Sequence, residues 1–184
     1  MSKLNIYISL VQLKGTDPYI QHQAIWSLFP NVSKSKREHL FRIELKKGNN
    51  CVALLQSATQ PQSSKQAKVL QSKPFSLSLK NDTSYKFKLV ANPTKRCDKT
   101  KKILDIVNRS DQITWIKKKL SGAKVNVSSI SDYLVSSKKC KCSRYVTYEG
   151  ILQITDNKQI ENAVITGIGR KKHAGAGLLS LARK

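Results

Sequence analysis

Three histidines stand in the chain, His22, His39 and His173. An imidazole titrates near neutral pH, so each is a candidate for moving a proton. His22 has the most suggestive setting. It lies in DPYIQHQAIWSLFP, three residues after Tyr19 and four before Trp26. Those spacings put all three rings on one face of a helix. A phenol beside an imidazole suits acid–base work, although a lone helical histidine is more often a packing or surface residue. The second group of interest is GIGRKKHAGAG. Gly167, Gly169, Gly175 and Gly177 are half of the chain's eight glycines, with Arg170, Lys171, Lys172 and His173 between them. Glycine permits positive φ and close approach of a ligand. Successive N–H groups in such a loop make an anion-binding nest. The string does not end in the Gly-Lys-Ser/Thr of a P-loop, and it does not follow a strand as a dinucleotide fingerprint must. Phosphate contact is the favoured reading over a plain helix-to-strand loop.

What is scarce also bears on the chemistry. Asp and Glu together number 11, scattered along the chain. Two-metal nucleases gather several carboxylates around their ions. This sequence favours instead an RNA cleavage that uses the ribose 2′-hydroxyl and expects no metal and no other cofactor. Such a reaction needs a base for the 2′-hydroxyl, an acid for the 5′-oxygen and cations around the phosphorane. The four cysteines, Cys51, Cys97, Cys140 and Cys142, include a C-x-C pair but no zinc-site spacing,.

Lys and Arg number 34, for a net charge of +23. Solubility alone is met by far less. The surplus points to a polyanion, and nucleic acid gains most from it through counterion release. An anionic membrane would want one basic amphipathic helix, whereas these charges spread along the whole chain. No apolar run is long enough to span a bilayer. MSKLNIYISLVQLKG reads as a first strand and not as a signal peptide, so a cytoplasmic protein is expected,. Aromatic residues are only 7% and no K/R-G-F-x-F-like string occurs, so binding by charge and shape to a structured RNA helix is expected,. Candidate RNA contacts are Arg37, Lys95 and Arg96, the SSKKCKCSR segment with Lys138, Lys139, Lys141 and Arg144, and the glycine-loop residues named above.

The elements that must position these residues follow from pattern and punctuation. A strand over about Leu4–Gln12 is followed by a helix that Asp17 caps and Pro18 opens. Ile20, Ala24, Ile25 and Leu28 form its expected buried stripe. Strands at about His39–Lys46 and Cys51–Ser57 are joined by Gly48-Asn49-Asn50, a hairpin turn. SSKQAKVLQ reads as a short helix and PFSLSL as a strand. The order β-α-β-β-α-β is ferredoxin-like. It recurs: a strand Tyr85–Ala91 broken by Asn92-Pro93, a basic connector, and a helix Asp111–Leu120 capped by Ser110. Strands follow at about Lys124–Ile130 and Arg144–Thr155, then a helix capped by Asp156 and a strand Gly177–Leu181. The expected fold is α+β, two tandem ferredoxin-like (RRM-like) domains, residues 1–82 with the histidine helix and residues 83–184 with the basic hairpin and glycine loop.

At this point the residues carry a resemblance. DPYIQHQAIWSLFP, KREHLFRIE, VALLQSA, YKFKLVANPT, ITWIKKKL, YEGILQITD and GIGRKKHAGAGLLSLA resemble the CasE family of type I-E CRISPR repeat endoribonucleases nearly end to end. The loop fits that family's two Gly-x-Gly pairs. The resemblance implies metal-independent cleavage of the hairpin in CRISPR repeat RNA, leaving a 2′,3′-cyclic phosphate. It implies that the product stays bound in the Cascade complex beside other subunits. It places the family's catalytic histidine at His22, as general acid or base. Tyr19 is then the group that orients or polarises the 2′-hydroxyl or phosphate. Ala176 stands where some relatives carry Cys. This chain is short for the family, so its Ser136–Arg144 hairpin is expected to contact less of the RNA groove. The alternative is a non-catalytic RNA-binding subunit of the same fold, against which Tyr19 and His22 argue.

Overall fold

The computed structural model describes residues 5–32, 38–137 and 140–183. Among them are ten strands and three α-helices. The chain divides into two compact units. One is built on Met1–Leu77 and includes His173–Gly175, and the other holds Ser78–Val135, Cys142–Lys172 and Ala176–Lys184.

The first unit runs β1 (Asn5–Lys14), α1 (Pro18–Trp26), β2 (His39–Lys47), β3 (Asn50–Ser57) and β4 (Ala67–Ser76). Its antiparallel sheet has the order β2-β3-β1-β4. β1 lies in the middle, pairing Leu13 with Cys51 of β3 and with Ala67 of β4. The β2–β3 turn carries Gly48 at φ +57°, as a tight hairpin needs,. Val11, Leu13, Phe41, Ala53 and Leu55 of the sheet close on Ala24, Ile25 and Leu28 of the helix segment. All eight are fully buried. Each large aliphatic among them contributes about 1.5–3 kcal/mol on leaving water.

The segment expected to be a short second helix is extended: Ala67 to Ser76 pair with β1. Ala, Lys and Gln are good helix formers, but tertiary context overrides propensity, and here ladder pairing with a central strand outweighs it. The segment PFSLSL accordingly contributes only Pro74, Phe75 and Ser76 to a strand.

The second unit runs β5 (Ser84–Ala91), β6 (Thr94–Arg96), β7 (Ile103–Asp105), α2 (Arg109–Lys119), β8 (Ala123–Ser137), β9 (Cys140–Ile154), α3 (Asn157–Thr166) and β10 (Leu179–Arg183). Its main sheet has the order β10-β5-β9-β8. The basic connector forms a small antiparallel hairpin, Thr94 opposite Asp105 and Arg96 opposite Ile103. Helix α2 is capped by Asn108 and not Ser110: the Asn108 carboxamide oxygen accepts from the Ser110 and Asp111 amides at 2.8 and 3.4 Å. Asp156 caps α3 as expected, accepting from the Gln159 amide. Strands β8 and β9 are longer than their apolar cores suggested, 15 residues each.

Both units are ferredoxin-like α+β sheets. No helix among the described residues is long and apolar enough to cross a membrane.

Candidate active site

Helix α1 owes its position to its first turn. Asp17 is extended, at φ −71° and ψ 132°, and its carboxylate accepts from the Tyr19 amide at 2.8 Å. Pro18 supplies a helical φ where no N–H is needed. Gly15 precedes them at φ +91°, and Ile20 lies where a Cβ on Gly15 would sit, 2.7 Å from it. Ile20 is therefore not in the core stripe; it is 43% exposed and packs across the entry turn. Its expected place is taken by Gln21, which is 3% exposed and donates to Thr16 O and Cys51 Sγ. This polar anchor was not visible as an apolar period.

Tyr19 is on the open side, and its hydroxyl accepts from Gln23 Nε2 at 3.2 Å. His22 is half-buried, with Nδ1 inside the protein. Its ring meets Trp26 edge to face, centroids 6.3 Å apart. Trp26 in turn meets His39 of β2 at 4.8 Å, and His39 stacks on Phe29 at 5.3 Å with planes 13° apart. On its other side His22 meets His173, centroids 5.8 Å apart and planes at 83°. All three histidines of the chain therefore join one run of rings, although they are far apart in sequence. Their scarcity marked each for attention, but no spacing rule could join residues separated by so many positions. Among the described residues, no three His, Cys, Asp or Glu side chains gather at metal-holding distance.

The glycine loop is built on positive φ: Gly167 +75°, Gly169 +79°, Lys171 +59°, Gly175 +85° and Gly177 +92°. Space is also tight at three of its glycines. A Cβ on Gly169 would come within 3.1 Å of Trp115, on Gly175 within 3.2 Å of the Phe41 ring, and on Gly177 within 2.9 Å of Ile168 O. The loop is tied to β5 where Gly177 donates its N–H to Val90 O at 2.7 Å, and by a bridge between Arg170 and Asn92.

The candidate RNA-contacting cations divide by what holds them. Lys172 donates from Nζ to Thr166 O at 2.7 Å, tying the last turn of α3,. Arg144 pairs with Asp132, while its backbone N–H donates to Asp105 at 2.6 Å. Lys95 lies 3.9 Å from Asp111 with both side chains more than half exposed, a weak pair,. Arg96 and Arg170 are exposed and Lys171 half-exposed. Arg37, Lys138 and Lys139 lie outside the described residues, as does the side chain of Lys141. In the second unit Arg170 and Lys172 border an open cavity of about 540 Å³ with Trp115, Lys119, Thr166 and Gly169, and no acidic side chain lines it.

Two ferredoxin-like sheets and a glycine loop rich in positive φ define the class. The chain matches, over residues 1–183, the family model described as CRISPR associated protein. It belongs to that family. It is 34% identical over 183 residues to the CRISPR system Cascade subunit CasE of Escherichia coli, covering 90% of this chain and 92% of that one. It is 26% identical over 190 residues to the CRISPR-associated endoribonuclease Cse3 of Thermus thermophilus, covering 90% of each. A solved structure of the Thermus thermophilus protein, bound to an RNA representing a pre-cleavage complex, has a TM-score of 0.83 and 25% identity, over 95% of this chain and 98% of that chain.

Proposed function

We propose that this chain is an endoribonuclease that binds the stem-loop of CRISPR repeat RNA and cuts the precursor to mature crRNA. The cut uses no metal, and the protein stays with its product as a Cascade subunit in the cytoplasm. The observation that carries the reading is the chain-long kinship with CasE and Cse3, joined to a half-buried histidine held in a run of aromatic rings.

In the reaction, the 2′-oxygen attacks the adjacent phosphorus and the bond to the 5′-oxygen breaks. The products are a 2′,3′-cyclic phosphate and a 5′-hydroxyl. His22 moves a proton at one end of that displacement. Packing against Trp26 fixes its ring, which keeps the catalytic geometry from being assembled anew in each turnover,. Tyr19 sits one turn earlier with its hydroxyl on the open side, placed to orient the 2′-hydroxyl or a phosphate oxygen,. Arg170 and Lys171, with the positive-φ backbone of Gly167 and Gly169, supply cationic and N–H contacts to phosphate,. Lys95, Arg96, Arg37 and the basic hairpin add to the sequence-independent attraction expected of a chain at net +23,.

The test is cleavage of the host's repeat hairpin by wild type and by His22→Ala, each in excess EDTA, with the 3′ end of the product identified. EDTA-resistant cutting to a cyclic phosphate, lost in the variant while hairpin binding persists, is the expected result. Tight hairpin binding without any cutting by wild type would make the chain a non-catalytic RNA-binding subunit instead.

A further inference from the structure

The displacement just described needs two proton transfers at once, one from the 2′-hydroxyl and one to the 5′-oxygen. One imidazole cannot perform both in the same step. A phenol is a far weaker acid than an imidazolium at neutral pH, so Tyr19 is a poor second. The fold supplies a better one. His173 stands edge to face with His22, ring centroids 5.8 Å apart. From this juxtaposition we infer that His173 is a second catalytic residue, and that it and His22 act as an acid–base pair on the two ends of one phosphodiester. The inference rests on the reading of the chain as an RNA-cutting enzyme and names the partner that reading leaves open.

The geometry fits the task. A proton carrier must come within about 2.6–3.2 Å of the oxygen it serves, and attacking and reacting atoms meet at about 3–3.5 Å. Two rings 5.8 Å apart are near enough to serve the two sides of one phosphodiester group. Both are half-buried. His173 sits in the 3-10 turn Lys172–Ala174. Gly175, directly after that turn, is at φ +85° and lies on the Phe41 ring, a fully buried core residue. The mount is thus rigid. His39 is different in kind. It is 6% exposed, stacked on Phe29 and met edge to face by Trp26, so it supports the rings and does not reach substrate.

Charge completes the argument. Two imidazoles set side by side suit a shared task, because an imidazole can give or take a proton near neutral pH. One ring is then acid while the other is base. The titratable groups around them are Tyr19 on α1, His39 of β2 across Trp26, and Lys171 and Lys172 before His173 in the loop. Lys172 is turned to Thr166 O. In the step, the 2′-O–P bond forms as the P–O5′ bond breaks. The 2′-hydroxyl proton passes to the neutral ring, and the proton of the charged ring ends on O5′. The pair leaves the step with its proton on the opposite ring, and exchange with water resets it.

The experiment is single-turnover cleavage of the repeat hairpin by the full chain, as wild type, His22→Ala, His173→Ala and His173→Asn. Each is run across about pH 5–9, where imidazoles titrate. A second substrate carries sulfur in place of the scissile 5′-oxygen, since a thiolate leaves without a proton. Expected are rates lower by about 10²–10⁴-fold in both His173 variants, with hairpin affinity kept and one limb of the bell-shaped pH profile lost. The sulfur substrate should restore one histidine's variants and not the other's, which names the acid. A His173 variant that cuts within about threefold of wild type with both limbs present overturns the inference. So does a slow variant that keeps both limbs while sulfur rescues neither histidine's variants, because the ring would then merely pack. Should His22→Ala also cut like wild type, the failure belongs to the underlying reading and not to His173.

Discussion

Helices α1 and α2 occupy matching places in their two units and are opposite in character. PYIQHQAIW has no Lys, Arg, Asp or Glu at all, in a chain whose net charge is +23. RSDQITWIKKK has four basic residues and one acidic, with three lysines in its last turn, where they complement the helix dipole,. The uncharged helix presents Tyr19 and His22, and it is oriented by a cap, a buried glutamine and an aromatic run. The charged helix borders a cavity with Arg170 and Lys172. On the proposed reading, α1 serves the chemistry and α2 the attraction for phosphate, a division of labour between two helices.

The sharpest way to break this division is His22→Ala. Cleavage should fall by about 10²–10⁴-fold with hairpin affinity little changed, as rate and binding assays on one preparation would report. Loss of binding along with rate would erase the division. Next in size is Gly175→Ala. It forces a side chain to φ +85° and against Phe41, at a cost of about 1–3 kcal/mol. A lowered denaturant midpoint would record the cost, and cleavage should suffer beyond it because the turn holding His173 moves. Asp17→Ala removes the cap of α1 and should cost about 1 kcal/mol of stability, with the pH profile of cleavage unchanged. On the charged side, Arg170→Ala should weaken binding and lower the salt slope by about one, leaving the single-turnover rate at saturation alone. Arg144→Ala should do least to the salt slope, since Asp132 already neutralises that guanidinium.

Legibility in the sequence followed local determination. Asp17-Pro18 fixes the start of α1, Asn92-Pro93 follows the end of β5, and Gly48-Asn49-Asn50 lies at the β2–β3 turn, because each depends on one or two residues. The glycine loop was legible for the same reason: positive φ at Gly167, Gly169, Gly175 and Gly177 follows from residue type. Strand β4 was not. Its apolar residues, Val69, Leu70 and Phe75, follow no period of two and Leu70 and Phe75 are exposed, so its pairing with β1 is what makes it a strand. Gln21 defeated the periodicity because a buried amide is satisfied by Thr16 and Cys51, which no linear pattern shows. The meeting of His22 with His173 was equally out of reach. Residue type singled each out, and the fold alone made them neighbours.

Grouping His173–Gly175 with the first unit has a consequence in time. A ribosome adds about 5–20 residues per second. His22 is therefore made roughly 8–30 s before His173, and β1 to β4 can fold in that interval around a helix that still lacks its second ring. If the pair acts together, a nascent chain can begin to gather RNA on its early lysines while it cannot yet cut. Competence would arrive abruptly, with the three-residue turn that carries His173.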